Sequence, residues 1–130
     1  MKILVGIDGS NTSKEALKVA IENARAFKGD LLAITSKATG TTEQAEEIRQ
    51  AEKTLAKAKQ AARDAGVGCE THLLIRGNSA GEDIVEFAGA NSVDLIVVGI
   101  KRRSRVGKIL MGSTAQYVIL RAGCPVLTVK

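Results

Sequence analysis

Two stretches of the chain are apolar with almost no interruption, and each is followed by glycine and polar residues. The first covers residues 2–7 and is closed by Asp8, Gly9 and Ser10; the second covers residues 93–99 and ends at Gly99. An unbroken apolar run of this length is typical of a strand that is buried on both faces. The pattern therefore predicts that these two strands lie at the centre of a sheet.

Three further strands are predicted at residues 31–35, 69–75 and 125–129. The stretch 69–75 alternates apolar and polar positions, which indicates one wetter face and hence an edge strand. Amphipathic helices separate the five strands, and each helix starts with a pair that fits a capping box. These pairs are Thr12 with Glu15, Thr41 with Gln44, Ser79 with Glu82, and Ser113 with Gln116.

Apolar residues spaced by three and four predict the buried face of each helix. In the first helix this face holds Leu17, Ala20, Ile21, Ala24 and Phe27, and in the last it holds Ala115, Val118 and Ile119. Regular alternation of strand and helix favours parallel strands joined by right-handed crossovers. The sequence thus predicts an α/β, Rossmann-like fold in which one parallel sheet lies between two helical layers, as a single domain over residues 1–130.

The composition supports an aliphatic core, because aromatic residues make up only 2% of the chain and tryptophan is absent. No apolar run approaches the ~18 residues that cross a bilayer. The first run ends at Asp8 without a cleavage pattern, so it is interpreted as a strand and not as a secretion signal. Cys69 and Cys124 lack metal-ligand or redox spacing and are predicted to be free buried thiols. A cytoplasmic location is expected.

Most of the excess positive charge is local. The net charge is +5, and Lys101, Arg102, Arg103, Arg105 and Lys108 fall within eight residues of each other. A cluster of this kind indicates a bound anion more than a basic surface. No aromatic residue stands beside the cluster to stack on bases, so a nucleic-acid partner is not expected.

The best candidate for an anion site follows the second central strand. Gly99 ends that strand, and Gly112, Ser113 and Thr114 open the last helix after the basic segment. A helix N-terminus offers unpaired N–H groups and partial positive charge, and a glycine lets a phosphate come close. Capping alone would also explain Ser113, so the phosphate site and a simple helix cap remain alternatives.

Asp8 is the second candidate, at the carboxyl end of the first strand, where open α/β sheets bind ligands. It could accept a hydrogen bond from a ribose hydroxyl, or it could stabilise the turn at Gly9 and Ser10. A phosphate loop of the Walker type is absent, since Gly107 and Lys108 are followed by Ile109. No nucleophile, base and orienting residue can be assembled, so ligand binding is favoured over catalysis.

Four segments together resemble the universal stress protein family: ILVGIDGS at residues 3–10, DLIVVG at 94–99, LMGSTAQYV at 110–118 and CPVLTV at 124–129. The resemblance extends over the whole chain. It implies a five-stranded parallel sheet in the order 3-2-1-4-5. It also implies a homodimer formed through the last strand, residues 125–129.

ATP-binding members of that family share a glycine, two residues, a second glycine, nine residues, and then glycine followed by serine or threonine. Gly99, Gly112 and Ser113 match this pattern, whereas Arg102 occupies the second glycine position. The resemblance also places Asp8 on the ribose or adenine and Ile34 against adenine. It therefore implies ATP as the ligand, with Mg²⁺ accompanying the nucleotide. The alternative is a dimeric interaction module of the same family that binds no ATP.

Overall fold

Seven strands and four helices follow one another in the computed structural model, which describes residues 1–37, 45–75, 77–100, 102–103 and 109–130. In chain order the elements are β1 (Lys2–Gly6), α1 (Asn11–Ala26), β2 (Asp30–Lys37), α2 (Ala45–Asp64), β3 (Cys69–Ile75), α3 (Ala80–Ala90), β4 (Leu95–Gly99), β5 (Arg102–Arg103), β6 (Ile109–Leu110), α4 (Ser113–Arg121) and β7 (Val126–Val129).

The main sheet has five parallel strands in the order β3-β2-β1-β4-β7. Since β7 is the fifth strand of this sheet, the order 3-2-1-4-5 is confirmed. β1 lies in the middle, with Ile3 opposite Leu31 on one side and opposite Leu95 on the other. The two unbroken apolar runs form interior strands, as predicted, and β3 lies at an edge.

Helices cover both faces of the sheet, which gives the predicted three layers. One core cluster holds Ile3, Val5 and Leu31 of the sheet together with residues of α1 and α2, including Ala20 and Leu55. The other cluster holds residues of β1, β2 and β4 that face α3 and α4. Its main members are Leu4, Ile34, Ile84, Phe87, Ile96 and Val118.

Two side chains predicted to be buried face solvent instead. Phe27 is 59% exposed because α1 ends at Ala26, which leaves Phe27 beyond the packed face as the C-cap. Ile119 of α4 is 38% exposed. The two cysteines are free, as predicted, but they are half-buried and not buried.

The helix caps differ in part from the predicted ones. Ser10, and not Thr12, is the N-cap of α1, because its side chain accepts a hydrogen bond from the Ser13 amide. Ser79 caps α3 as predicted: Glu82 N–H donates to its Oγ at 3.2 Å, and the Ser79 hydroxyl donates to Glu82 Oε1 at 2.9 Å. The predicted pair Thr41 and Gln44 lies outside the described residues.

Ser113 does not cap α4. The N-cap is Gly112, which makes no side-chain hydrogen bond because it has no side chain, and Ser113 is the first residue of the helix. The capping alternative for Ser113 was therefore wrong.

This difference predicts that two serine-to-alanine variants will differ in stability. Ser79→Ala should lower the free energy of unfolding by ~1 kcal/mol, since it removes the N-cap side chain that accepts from the Glu82 amide. Ser113→Ala should change it by less than about 0.5 kcal/mol, as is usual for an exposed position without a special contact. Urea unfolding of both variants beside the parent protein measures this directly. If both variants lost the same free energy of unfolding, Ser113 would have a structural role that its contacts do not explain.

The segment after β4 was interpreted as a loop, but part of it forms a small antiparallel ladder. β5 and β6 pair with Arg102 opposite Leu110 and Arg103 opposite Ile109. Arg102 therefore stands in extended backbone that any residue can adopt. Lys101, Arg105, Gly107 and Lys108 lie outside the described residues.

Two features of α4 matter below. Its outer side and β7 carry exposed apolar side chains, among them Ile119, Leu120 and Leu127. Its inner side packs tightly on α3, because a Cβ atom at Gly81 would lie 2.9 Å from Tyr117 Cβ. Among the described residues, no helix is both long enough and apolar enough to cross a membrane.

Candidate functional site

A cleft opens at the carboxyl ends of β1, β2 and β4, and α1, α3 and α4 all begin beside it. It contains about 710 Å³ of space, counting its mouth, which opens to solvent. The residues around it are Gly6, Ile7, Asp8, Ser10, Thr12, Ser13, Ile34, Ser36, Ala80, Ile84, Val98, Gly99, Gly112, Thr114 and Ala115.

Most of the predicted site residues meet in this cleft although they are far apart in the sequence. Asp8, Ile34, Gly99, Gly112 and Thr114 all line it. The carboxyl ends of parallel strands lie at one edge of the sheet, which brings these positions together. Ser113 is exposed at the start of α4 and does not line the cleft. The backbone of Arg102 is in β5, and the structure does not describe its side chain.

The turn between β1 and α1 holds Asp8 at the cleft. The Ser10 amide donates to Asp8 Oδ1 at 2.9 Å, which is the turn-stabilising contact considered for this residue. Gly9 between them has φ of +83°, a left-handed conformation that glycine adopts without strain. The carboxylate is exposed, and each of its oxygens can accept more than one hydrogen bond, so the turn and a ligand contact are compatible.

Gly99 is required by packing. A Cβ atom at this position would lie 2.8 Å from the backbone oxygen of Thr12 and 2.9 Å from its carbonyl carbon. The end of β4 can therefore approach the first turn of α1 only because residue 99 has no side chain. This contact brings the α1 and β4 sides of the cleft together.

The N-terminus of α4 borders one end of the cleft and places partial positive charge there. Gly112 is the N-cap with φ of −67° and ψ of 162°, and Thr114 lies in the first turn. The first amide groups of a helix have no partner inside the helix, and they carry partial positive charge. A glycine cap and a hydroxyl side chain at such a position suit a phosphate group.

Sequence reasoning missed two residues at the opposite end of the cleft. Ser36 lines the cleft at the end of β2, and its hydroxyl donates to Asp83 Oδ2 of α3 at 2.5 Å. Asp83 is completely buried, and Asn78 Nδ2 donates to its Oδ1 at 3.3 Å. Ser36 stands two residues after Ile34 and so on the same face of β2, which was the available signal.

His72 and the two cysteines do not line the cleft. His72 on β3 packs against the Phe87 ring, with ring centroids 4.8 Å apart. Burial raises the pKa of the Cys69 thiol and that of the Cys124 thiol, so both are poor nucleophiles at neutral pH. Within the described ranges, no three histidine, cysteine or acidic side chains come together as a metal site.

The fold and the cleft define a class of protein: a doubly wound α/β protein with a cleft where the strand order reverses, here between β1 and β4. Comparison with known proteins narrows the class, because the profile of the universal stress protein family matches residues 1–130. The chain belongs to the universal stress protein family.

Relatives with sequence and structural similarity support this assignment. A universal stress protein of Methanocaldococcus jannaschii is 39% identical over 99% of this chain and 81% of its own length. The structure of a universal stress protein from Archaeoglobus fulgidus is 37% identical, with a TM-score of 0.91 over 100% of this chain and 98% of that one. An Archaeoglobus fulgidus structure in complex with dAMP is 35% identical, with a TM-score of 0.84 over the same shares.

Proposed function

We propose that this protein binds an adenine nucleotide, with ATP as the first candidate, in the cleft at the carboxyl ends of β1, β2 and β4. The observation that carries the proposal is the cleft itself, which combines a helix N-terminus capped by Gly112, the carboxylate of Asp8 and the apolar side chain of Ile34. The dAMP bound to the Archaeoglobus fulgidus relative supports the same ligand class here. The protein then acts in a stress response through its nucleotide-bound and free forms, in the cytoplasm.

The order of the strands suggests how a nucleotide lies in the cleft. β2, β1 and β4 are adjacent, and neighbouring strands are ~4.8 Å apart, so the cleft spans roughly 10 Å from β2 to β4. Phosphates lie at Gly112 and Thr114 beside Gly99, where the backbone amide of Ser113 is one of the free N–H groups that open α4. The ribose lies at Asp8 in the middle. The base then lies on β2, between Ile34 and Ile84, which both line the cleft.

Arg102 takes the position of a glycine in the family's nucleotide pattern, so substitutions of Arg102 test the phosphate end of the proposed site. Its guanidinium can bind phosphate in place of a backbone contact. Arg102→Ala should then lower the affinity for ATP roughly tenfold and leave the affinity for adenosine unchanged. The loss of ATP affinity should be smaller at high salt, because salt screens the contact between arginine and phosphate. Arg102→Gly should behave like Arg102→Ala. Tighter ATP binding by Arg102→Gly would show instead that the arginine obstructs the site.

The decisive experiment is to extract protein purified without added ligand and analyse the extract for nucleotides by mass spectrometry. Titration calorimetry with AMP and with ATP, each with and without Mg²⁺, gives the affinities. Mg²⁺ would be held through the phosphates. It should raise the affinity for ATP, whereas AMP should bind without it. If no nucleotide is recovered and none binds at millimolar concentration, the nucleotide proposal fails. The interaction module is then the better explanation.

A homodimer formed through residues 125–129 is part of the proposal. β7 is an edge strand, and an uncovered edge pairs readily with another strand. Exposed Leu120 and Leu127 offer apolar surface beside this edge. We expect light scattering to give the mass of two chains, and Leu127→Lys combined with Leu120→Lys to give the mass of one. A monomeric parent protein at every concentration would contradict this part.

A further inference from the structure

A second pocket opens at the opposite edge of the sheet, where α2 ends and β3 begins. It contains about 620 Å³ of space, counting its open mouth, and it is lined by Lys59, Arg63, Gly66, Val67, Gly68 and Cys69. Gly66 has a φ of +75°, and a Cβ atom there would have no atom within 4 Å. This left-handed turn returns the chain from α2 to the sheet, so the first residue of β3, Cys69, shares the pocket with two cations of α2.

The two cations of this pocket have no acidic partner among the residues that the structure describes. Lys59 and Arg63 lie one helical turn apart and are both exposed, and neither side chain forms an ion pair or a hydrogen bond there. The acids next to the pocket in the sequence have other contacts. Asp64 accepts a hydrogen bond from Gln60 Nε2 at 2.8 Å, and Glu70 lies 3.5 Å from a histidine nitrogen. The pocket therefore offers two free positive charges to an anion.

The thiol of Cys69 is half-buried in this pocket, and two opposing effects act on it. Burial raises the pKa of the thiol, and the ammonium group of Lys59 acts in the opposite direction. Only a small fraction is thiolate at neutral pH, so a neutral reagent reacts slowly. The two cations also change a different quantity: they attract an anionic reagent and raise its local concentration beside the sulfur.

We propose that this pocket is a site of reversible thiol modification, in which Lys59 and Arg63 hold the carboxylates of a small disulfide while Cys69 reacts with it. The Cys69 thiolate attacks one sulfur atom of the disulfide, so that a new S–S bond forms to the protein and the original S–S bond breaks. The other half leaves as a thiolate and takes up a proton from water. Cys69 is thus oxidised, and the disulfide is the oxidant, which is reduced to one free thiol. This reaction does not depend on nucleotide binding.

Cys124 provides an internal control in the same chain. It is also a free, half-buried cysteine, but it does not line this pocket. The charge beside it is negative, because burial and, after it, the carboxylate of Asp94 raise the pKa of its thiol. An anionic disulfide should therefore prefer Cys69 to Cys124, whereas a neutral disulfide should discriminate much less.

The experiment measures the rate of modification at each cysteine of the parent protein by mass spectrometry of its peptides. One probe is dithiobis(nitrobenzoate), which carries a carboxylate on each ring, and the other is dithiodipyridine, which is uncharged at neutral pH. With the anionic probe Cys69 should react roughly tenfold or more faster than Cys124, and this preference should decrease at high salt. A preference of the same size with both probes would show that exposure alone decides, and it would overturn the proposal.

Two variants of α2 test the cations. Arg63→Gln isolates the contact with the reagent, because Arg63 is not among the groups that shift the pKa of Cys69. It should lower the rate of Cys69 with the anionic probe by roughly three- to tenfold and leave the rate with the neutral probe within about twofold. Lys57→Gln is the matched control, since it removes the same charge from an exposed position of the same helix that does not line the pocket.

Both substituted positions are exposed, so both variants should fold, and thermal unfolding checks this. Lys57→Gln should react like the parent protein with either probe. If Arg63→Gln and Lys57→Gln slowed the anionic probe equally, the effect would come from the net charge of the protein and not from the pocket. That result, or an unchanged rate of Arg63→Gln with the anionic probe, would overturn the proposal.

Discussion

Gly112→Val should abolish nucleotide binding without unfolding the protein. Gly112 has φ of −67° and ψ of 162°, an extended conformation that valine favours, so the backbone tolerates the change. The residue lines the cleft at the start of α4, where the phosphates are placed. A branched side chain there occupies the space of a phosphate oxygen and shields the first amides of the helix. We expect an affinity loss of more than about a hundredfold, measured by calorimetry with ATP.

Gly123→Val provides the control for this variant. Gly123 lies in the connection from α4 to β7, and a Cβ atom there would have no atom within 4 Å. The free energy of unfolding of both variants should stay within about 1 kcal/mol of the parent value, since the extended backbone at Gly112 suits valine and a Cβ atom at Gly123 meets open space. If folded Gly112→Val bound ATP as tightly as the parent protein, the N-terminus of α4 would not be part of the phosphate site. If Gly123→Val also lost ATP binding, the loss in Gly112→Val could not be assigned to the phosphate contact.

Gly99→Ala should destabilise the protein and weaken nucleotide binding together. The new Cβ atom would lie 2.8 Å from the Thr12 backbone oxygen, and backbone in the first turn of α1 cannot move aside as a side chain would. Overpacking of this kind costs ~1–3 kcal/mol. Because Gly99 and Thr12 both line the cleft, the displacement also changes the site. Urea unfolding and ATP calorimetry measure the two effects.

Gly6→Ala separates this contact from the general effect of adding a methyl group to a strand end. Its Cβ would lie 2.9 Å from Ile84 Cδ1, the far end of a flexible side chain. The isoleucine can adopt another rotamer, so the loss of stability should be smaller than that of Gly99→Ala. The packing explanation for Gly99 would be contradicted if the two variants lost the same stability, or if Gly99→Ala lost none.

The sheet could be predicted from the sequence because its central strands carry a strong and local signal. Val5 and Val97 belong to unbroken apolar runs, and such runs are compatible with few environments other than a sheet covered on both faces. The caps were less predictable, since Ser10 and Thr12 both precede α1 and either fits the pattern. The choice of Ser10 depends on where the helix begins, which the left-handed turn at Gly9 sets.

The site could be predicted only where its residues belong to local motifs. Gly112 and Thr114 open a helix and Asp8 closes a strand, so each carries its own signal. Ser36 and Asp83 are 47 residues apart, and their contact exists only after β2 and α3 have packed. Asp83 follows the capping glutamate Glu82, and a charged residue in the first turn of a helix is usually assigned to solvent. Its burial was therefore not predictable from the pattern.

The contact at Gly81 has a consequence for how a ligand is received. α3 and α4 touch there with no room for a methyl group between Gly81 and Tyr117. α3 begins beside Ser36 and α4 begins at Gly112, and both helix starts border the cleft. The contact between Gly81 and Tyr117 therefore sets the distance between these two helix starts. That wall of the cleft is consequently preformed. A ligand does not spend binding energy on drawing the two helices together, and its affinity reports the fit alone.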